Sequence, residues 1–165
     1  NLVHLSTGDI FRFNIKNDTE LGKLAKTYMD KGDLVPDEVT IKMLESEVDK
    51  NPEVAGFLFD GFPRTIAQAE ALDMFLHGKK QQITATVALE ADDNVLVARL
   101  LERGKTSGRP DDQDEAKIRN RYDEYNQKTA PLMHYYQKQD KFYAVNGIGT
   151  IQEVTARLNT ILDSL

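Results

Sequence analysis

The stretch Gly56-Phe57-Leu58-Phe59-Asp60-Gly61-Phe62-Pro63-Arg64-Thr65 decides the fold. Its first four residues are an apolar run too short for a helix. Asp60-Gly61 and Pro63 end the run, and Thr65 offers a hydroxyl to cap a helix reaching about Leu76. Working outward, the same strand-to-helix unit recurs. Leu2–Leu5 leads into Ser6-Thr7-Gly8-Asp9 and a helix toward Asn17, and Ile83–Leu89 leads into a helix opened by Asp92. Phe142–Val145 leads into Thr150-Ile151-Gln152-Glu153, which has capping-box spacing. Four such units predict an α/β fold: a parallel sheet with crossover helices.

Between the first two strands, Glu20–Lys31 and Asp37–Lys50 read as helices of an insert that adds no strand. Between the helix after the third strand and a long helix expected from about Gln113 to Gln139 lies Gly104–Asp112. It is polar, holds two glycines and a proline, and reads as a short mobile cover.

At 165 residues and 40% apolar content the chain suits one domain with one substantial core. A net charge of −6 argues against a broad nucleic-acid surface but leaves small anions open to a local arginine cluster. With no cysteine there is no disulfide, thiolate metal site or cysteine nucleophile. No apolar run approaches 18 residues, and Asn1–Leu5 has neither the basic nor the apolar region of a secretory signal. A cytoplasmic protein without membrane or nucleic-acid partners is expected.

Five of the eight arginines (Arg99, Arg103, Arg109, Arg119, Arg121) fall within 23 residues around the polar cover. Arg99 and Arg103 share a helix face and can converge on one anion, whereas Arg119 and Arg121 point apart, so one of them faces inward. The pattern alone fits equally a solvated face with partners such as Glu102 and Asp123. Asp60 stands at the carboxyl end of its strand, where ligands of parallel sheets bind. It can orient the water shell of Mg²⁺, and Arg64 beside it can pair with a phosphate. Gln68, one turn after Arg64, can offer a donor and an acceptor to a nucleobase. Thr7 and Arg12 lie at a helix start, which favours anions, although a simple cap and a surface charge explain them as well. His4, His77 and His134 lack ligand spacing and read as structural or exposed.

Taken together, Ser6-Thr7-Gly8-Asp9, Asp60-Gly61-Phe62-Pro63-Arg64-Thr65 with Gln68, and Ser107-Gly108-Arg109-Pro110-Asp111-Asp112 resemble the adenylate kinase family, in the family's order and over essentially the whole chain. The resemblance implies a P-loop kinase-like fold with a monophosphate-binding helical insert, here residues 6–35, and a short lid without zinc, residues 102–112. It implies reversible phosphoryl transfer from ATP to AMP, giving two ADP, with Mg²⁺ accompanying ATP. Thr7, Arg12, Asp33, Leu34, Val35, Gly61, Phe62, Pro63, Arg64 and Gln68 match AMP-site positions, joined by Arg109 and Arg121 when the lid closes. Arg103 and Gly149 match ATP contacts. Arg64, Arg99, Arg103, Arg109 and Arg121 match catalytic arginines, Asp60 matches the carboxylate near the metal's waters, and Asp111 and Asp112 match lid carboxylates. A uridylate or cytidylate kinase, and a nucleotide-binding fragment without catalysis, are the alternatives.

One part of the family pattern is absent. Gly104-Lys105-Thr106 has the ending of a phosphate loop, but Arg99 stands where the opening glycine belongs, and a helix rather than a strand precedes it. The kinase core is therefore read as N-terminally incomplete. The absent piece would be a strand, loop and helix of about two dozen residues. Without that strand the sheet should show an unpaired interior ladder.

Overall fold

The computed structural model describes residues 2–107, 109, 112 and 114–165, the side chain of Asp93 excepted. Of the expected lid, Gly108, Pro110 and Asp111 lie outside the described residues. Strand β1 (Leu2–Ser6) runs into α1 (Thr7–Lys16), followed by α2 (Glu20–Met29) and α3 (Asp37–Asp49). Next come β2 (Gly56–Asp60) and α4 (Ile66–Gly78), then β3 (Thr86–Glu90) and α5 (Asp93–Ser107). After α6 (Glu115–Glu124) and a π-helical turn at Tyr125–Thr129, α7 (Leu132–Gln137), β4 (Phe142–Asn146) and α8 (Ile151–Leu162) complete the chain.

The α/β reading holds: every described strand pairs in parallel. β1 pairs with β2 from Leu2↔Gly56 to Ser6↔Asp60, and β3 with β4 from Thr86↔Phe142 to Glu90↔Asn146. The strands stand as two pairs rather than one continuous ladder. Residues of both β2 and β3 line a cavity of about 1450 Å³. Apolar strand side chains remain uncovered there, with Leu58 54% and Leu89 55% exposed.

The helix starts follow the cap residues. Ser6, Thr19, Thr65 and Thr150 each accept a backbone N–H from the first turn, and Thr150 with Glu153 completes the capping box. Asp92 accepts from the Asn94 amide at the start of α5. Leu5, Leu44, Phe62, Leu72 and Leu76 form the core between β1 and helices α3 and α4. Each such side chain contributes roughly 1.5–3 kcal/mol by leaving water. A second cluster, Phe11, Ala25, Val35 and Met43, holds the insert together. There α1 and α2 touch so closely at Gly22 that a Cβ would lie 2.2 Å from the Asn14 carbonyl oxygen.

Two expectations need correction. The third strand begins at Thr86 rather than Ile83, because its ladder with β4 starts opposite Phe142, while Ile83 packs against the helical cores instead. The long helix of 113–139 is not continuous. The Ala130 amide reaches back five residues to the Tyr125 carbonyl, forming the π-helical turn, and Pro131, which has no amide hydrogen, precedes α7.

Candidate functional site

Thr7, Arg12, Asp33, Leu34, Val35, Gly61, Phe62, Pro63, Arg64, Gln68, Arg103 and Arg121 all line the cavity between the strand pairs. Arg99, Arg109, Gly149 and Asp60 do not line it.

The turn after β2 is the best-defined part. Gly61 has φ +68°, and a Cβ there would press on the Arg64 guanidinium at 2.7 Å, which is the reason for glycine. Ser6, not Thr7, caps α1. Thr7, buried at 4%, donates its hydroxyl to the Gly61 carbonyl at 3.0 Å. Arg64 Nε donates to the same carbonyl at 2.8 Å, and the Arg64 carbonyl accepts from the Thr129 hydroxyl at 2.8 Å. Gln68 is 2% exposed. Its Oε1 accepts from the Arg64 amide at 2.8 Å, and its Nε2 donates to Asp37 Oδ1 at 2.7 Å.

Guanidinium groups meet carboxylates at two further places. Arg12 donates to Asp9 at 2.5 Å, and Arg109 stands 3.9 Å from the same oxygen. The hydrogen bond from Arg12, aided by the charges of both arginines, holds the Asp9 carboxyl below the usual range. Asp112, with no exposed surface, accepts from Arg103 Nε at 2.6 Å and from Arg121 Nη1 at 2.7 Å. Burial pushes this carboxyl up, but the hydrogen bonds and charges of the two arginines outweigh burial and hold it low. Arg119 instead pairs with Glu115 on the surface, and Glu102 with Lys105.

Arg99 serves a third place: it donates to the Gly147 carbonyl at 2.7 Å and the Gly149 carbonyl at 3.1 Å, ordering the loop before α8. Asp60, its side chain 60% exposed, lies 3.3 Å from His4 Nε2. Among the described residues no group of three or more His, Cys, Asp or Glu side chains could cage a metal. One exposed carboxylate fits an ion held chiefly by water and substrate phosphates, as Mg²⁺ usually is.

The sequence reading missed Asp37 behind Gln68, Thr129 on Arg64, and Asn120. Asn120 Nδ2 donates to the Lys31 carbonyl at 3.0 Å and to Asp33 Oδ1 at 2.9 Å, tying α6 to the rim of the insert. These partners lie 31, 65 and 87 to 89 positions apart, distances for which sequence offers no spacing rule.

A parallel α/β scaffold that turns buried polar groups and several guanidinium groups toward one cavity beside its strand ends is of the class that binds anionic ligands. Comparison with known proteins narrows the class. Residues 1–141 match the family model described as adenylate kinase. The adenylate kinase of Flavobacterium psychrophilum is 77% identical over 165 residues, covering all of this chain and 87% of the relative. That of Flavobacterium johnsoniae is 68% identical with the same coverage. That of Parabacteroides distasonis is 44% identical over 164 residues, covering 99% of this chain and 86% of the relative. The chain belongs to the adenylate kinase family.

Proposed function

We propose that the protein transfers the γ-phosphoryl group of ATP to AMP, reversibly, and that the cavity carrying Gln68 and the arginines receives AMP. The AMP phosphate oxygen forms the new P–O bond, the bond between the γ-phosphorus and its bridging oxygen breaks, and both nucleotides end as ADP. The attacking oxygen is already anionic, so no general base is needed. Alignment, charge neutralisation and exclusion of water are the work left to the protein.

The supporting observation is that Arg12, Arg64, Arg103, Arg121 and the buried Gln68 all belong to the lining of one cavity. Arg12 and Arg64 are assigned to the AMP phosphate, Thr7 to the turn that presents Arg64, and Gln68 to the base. Leu34, Val35, Phe62 and Pro63 supply apolar wall, with Asp33 and Gly61 at its turns. Arg103 and Arg121 are assigned to the transferring phosphoryl group, with Arg109 joining from its present place beside Asp9. Planar guanidinium groups match phosphoryl oxygens in pairs and act more strongly once water is excluded. Residues 102–112 are the segment assigned to that exclusion, residues 6–35 form the monophosphate insert, and Arg99 positions the Gly149 loop for the ATP base. When bound, Mg²⁺ neutralises phosphate charge, and Asp60 would hold its water shell. The protein is assigned to the cytoplasm as a monomer, a setting suited to a chain without cysteine.

Arg64→Ala tests the assignment. In full-length protein, turnover with AMP should fall on the order of 10²-fold, as when one preorganised donor is removed. Undiminished turnover refutes the placement of AMP in this cavity.

A further inference from the structure

An amide can be read two ways. Turned one way it offers its oxygen to the amino group of adenine and its N–H to the neighbouring ring nitrogen. Turned over, it suits the reversed pattern of a 6-oxopurine, which has an acceptor oxygen beside a ring N–H. Gln68 therefore specifies adenine only if something prevents it from turning.

The structure supplies that constraint. Asp37, the first residue of α3, is half-buried and does not line the cavity, whereas Gln68 does. A carboxylate accepts and never donates, so Asp37 Oδ1 at 2.7 Å compels the amide nitrogen of Gln68 to face it. The Arg64 amide, which only donates, holds the oxygen at the other end at 2.8 Å. Asp37 is itself fixed: its Oδ2 accepts the Thr65 hydroxyl at 2.9 Å, and that hydroxyl oxygen accepts the Gln68 backbone amide at 3.1 Å. Thr65 has a single hydroxyl hydrogen, and this ring of bonds uses it toward Asp37. Every donor and acceptor in the ring has one consistent direction. Among the described residues, Gln68 is left with one unused N–H and one unused lone pair in a set orientation.

We infer that Asp37 is a positioning residue for base specificity: from behind the cavity wall it locks the Gln68 amide in the orientation that accepts an adenine monophosphate and rejects its 6-oxo counterpart. This rests on the reading of the cavity as the AMP site.

The probe pair is AMP and inosine monophosphate, purines of equal size whose base edges differ in donor and acceptor order. Steady-state kinetics on full-length protein give kcat/KM for each. Asp37→Ala should lower the AMP-to-inosine monophosphate ratio about tenfold or more, mainly through KM for AMP, because the amide keeps only the Arg64 hold and its turned orientation becomes accessible. Asp37→Asn should restore the ratio to within about threefold of wild type. Its oxygen can still accept from Gln68, while its NH₂ donates to the Thr65 oxygen. An unchanged ratio in Asp37→Ala, while Gln68→Leu lowers it, overturns the role of Asp37 and leaves the site standing. If Gln68→Leu changes neither ratio nor KM, the site reading fails and the inference with it. Should Asp37→Ala not fold, the wild-type protein carries the test by NMR. A through-bond coupling between Gln68 Nε2 and the Asp37 carboxyl carbon is expected, and a freely turning Gln68 amide refutes the lock.

Discussion

Replacing Asp112 by Asn changes one oxygen to an NH₂ with almost no change in shape, so its effect isolates what the carboxylate does. In the wild type each oxygen serves a different arginine, Arg103 at 2.6 Å and Arg121 at 2.7 Å. Asparagine can accept from one of them only and turns a donor toward the other. A charge-assisted hydrogen bond contributes about 1.5–3 kcal/mol. The Arg103 and Arg121 side chains are 41% and 27% exposed, so water recovers part of that, and the expected loss is about 1–2 kcal/mol. Urea unfolding followed by far-UV circular dichroism measures it, with an unchanged slope showing that the two states compared are the same.

The pH dependence gives a second arm. The folded carboxyl titrates below its unfolded value of about 3.9, so its contribution is fully present above that pH and disappears as pH falls through the lower folded value. Wild type should exceed Asp112→Asn by a constant margin from about pH 5 to 8, and the margin should shrink below about pH 4. Turnover should fall on the order of 10²-fold, since the two guanidinium groups proposed to meet the phosphoryl group lose their common anchor. Equal unfolding free energies at neutral pH, or a margin that grows in acid, would refute the reasoning.

Two further outcomes follow from packing. Gly104→Ala would place a Cβ 2.2 Å from the Asp112 carbonyl oxygen, so the segment carrying Asp112 must shift; melting temperature and turnover should both drop, and a variant as stable and active as wild type would contradict the contact. Thr19→Ala removes the α2 cap on Gly22, 3.0 Å away, together with a hydroxyl bond to Asn14 Oδ1 at 2.8 Å; a loss of about 1–2 kcal/mol in urea unfolding is expected.

What could be read in advance follows physical range. A cap such as Thr65, three residues from the amide it accepts, and the apolar run ending at Asp60 are local and legible. The break at Pro131 was equally local, but a polar stretch favourable to helix on both sides concealed it. The resemblance assigns the arginines to one site; in the fold Arg12, Arg64, Arg103 and Arg121 line the cavity and Arg99 and Arg109 do not, and the partners of all of them are set by the fold. Asp37 looks like an ordinary acidic first-turn residue until the chain brings Gln68 against it, 31 positions away. The division of the strands into two pairs is likewise a matter of which edges meet, and the strand patterns alone carry no such information.

The stitch made by Asn120 has a mechanical consequence. Both of its bonds spring from one nitrogen atom, which has two hydrogens and spends both, on the Lys31 carbonyl and the Asp33 carboxylate. Hydrogen bonds weaken steeply with stretching and bending. Were the rim of the insert drawn away from α6, the two bonds would therefore loosen together instead of peeling in turn. Opening at this point resembles a press-stud more than a zip, with a snug seat, an abrupt release and little ground between.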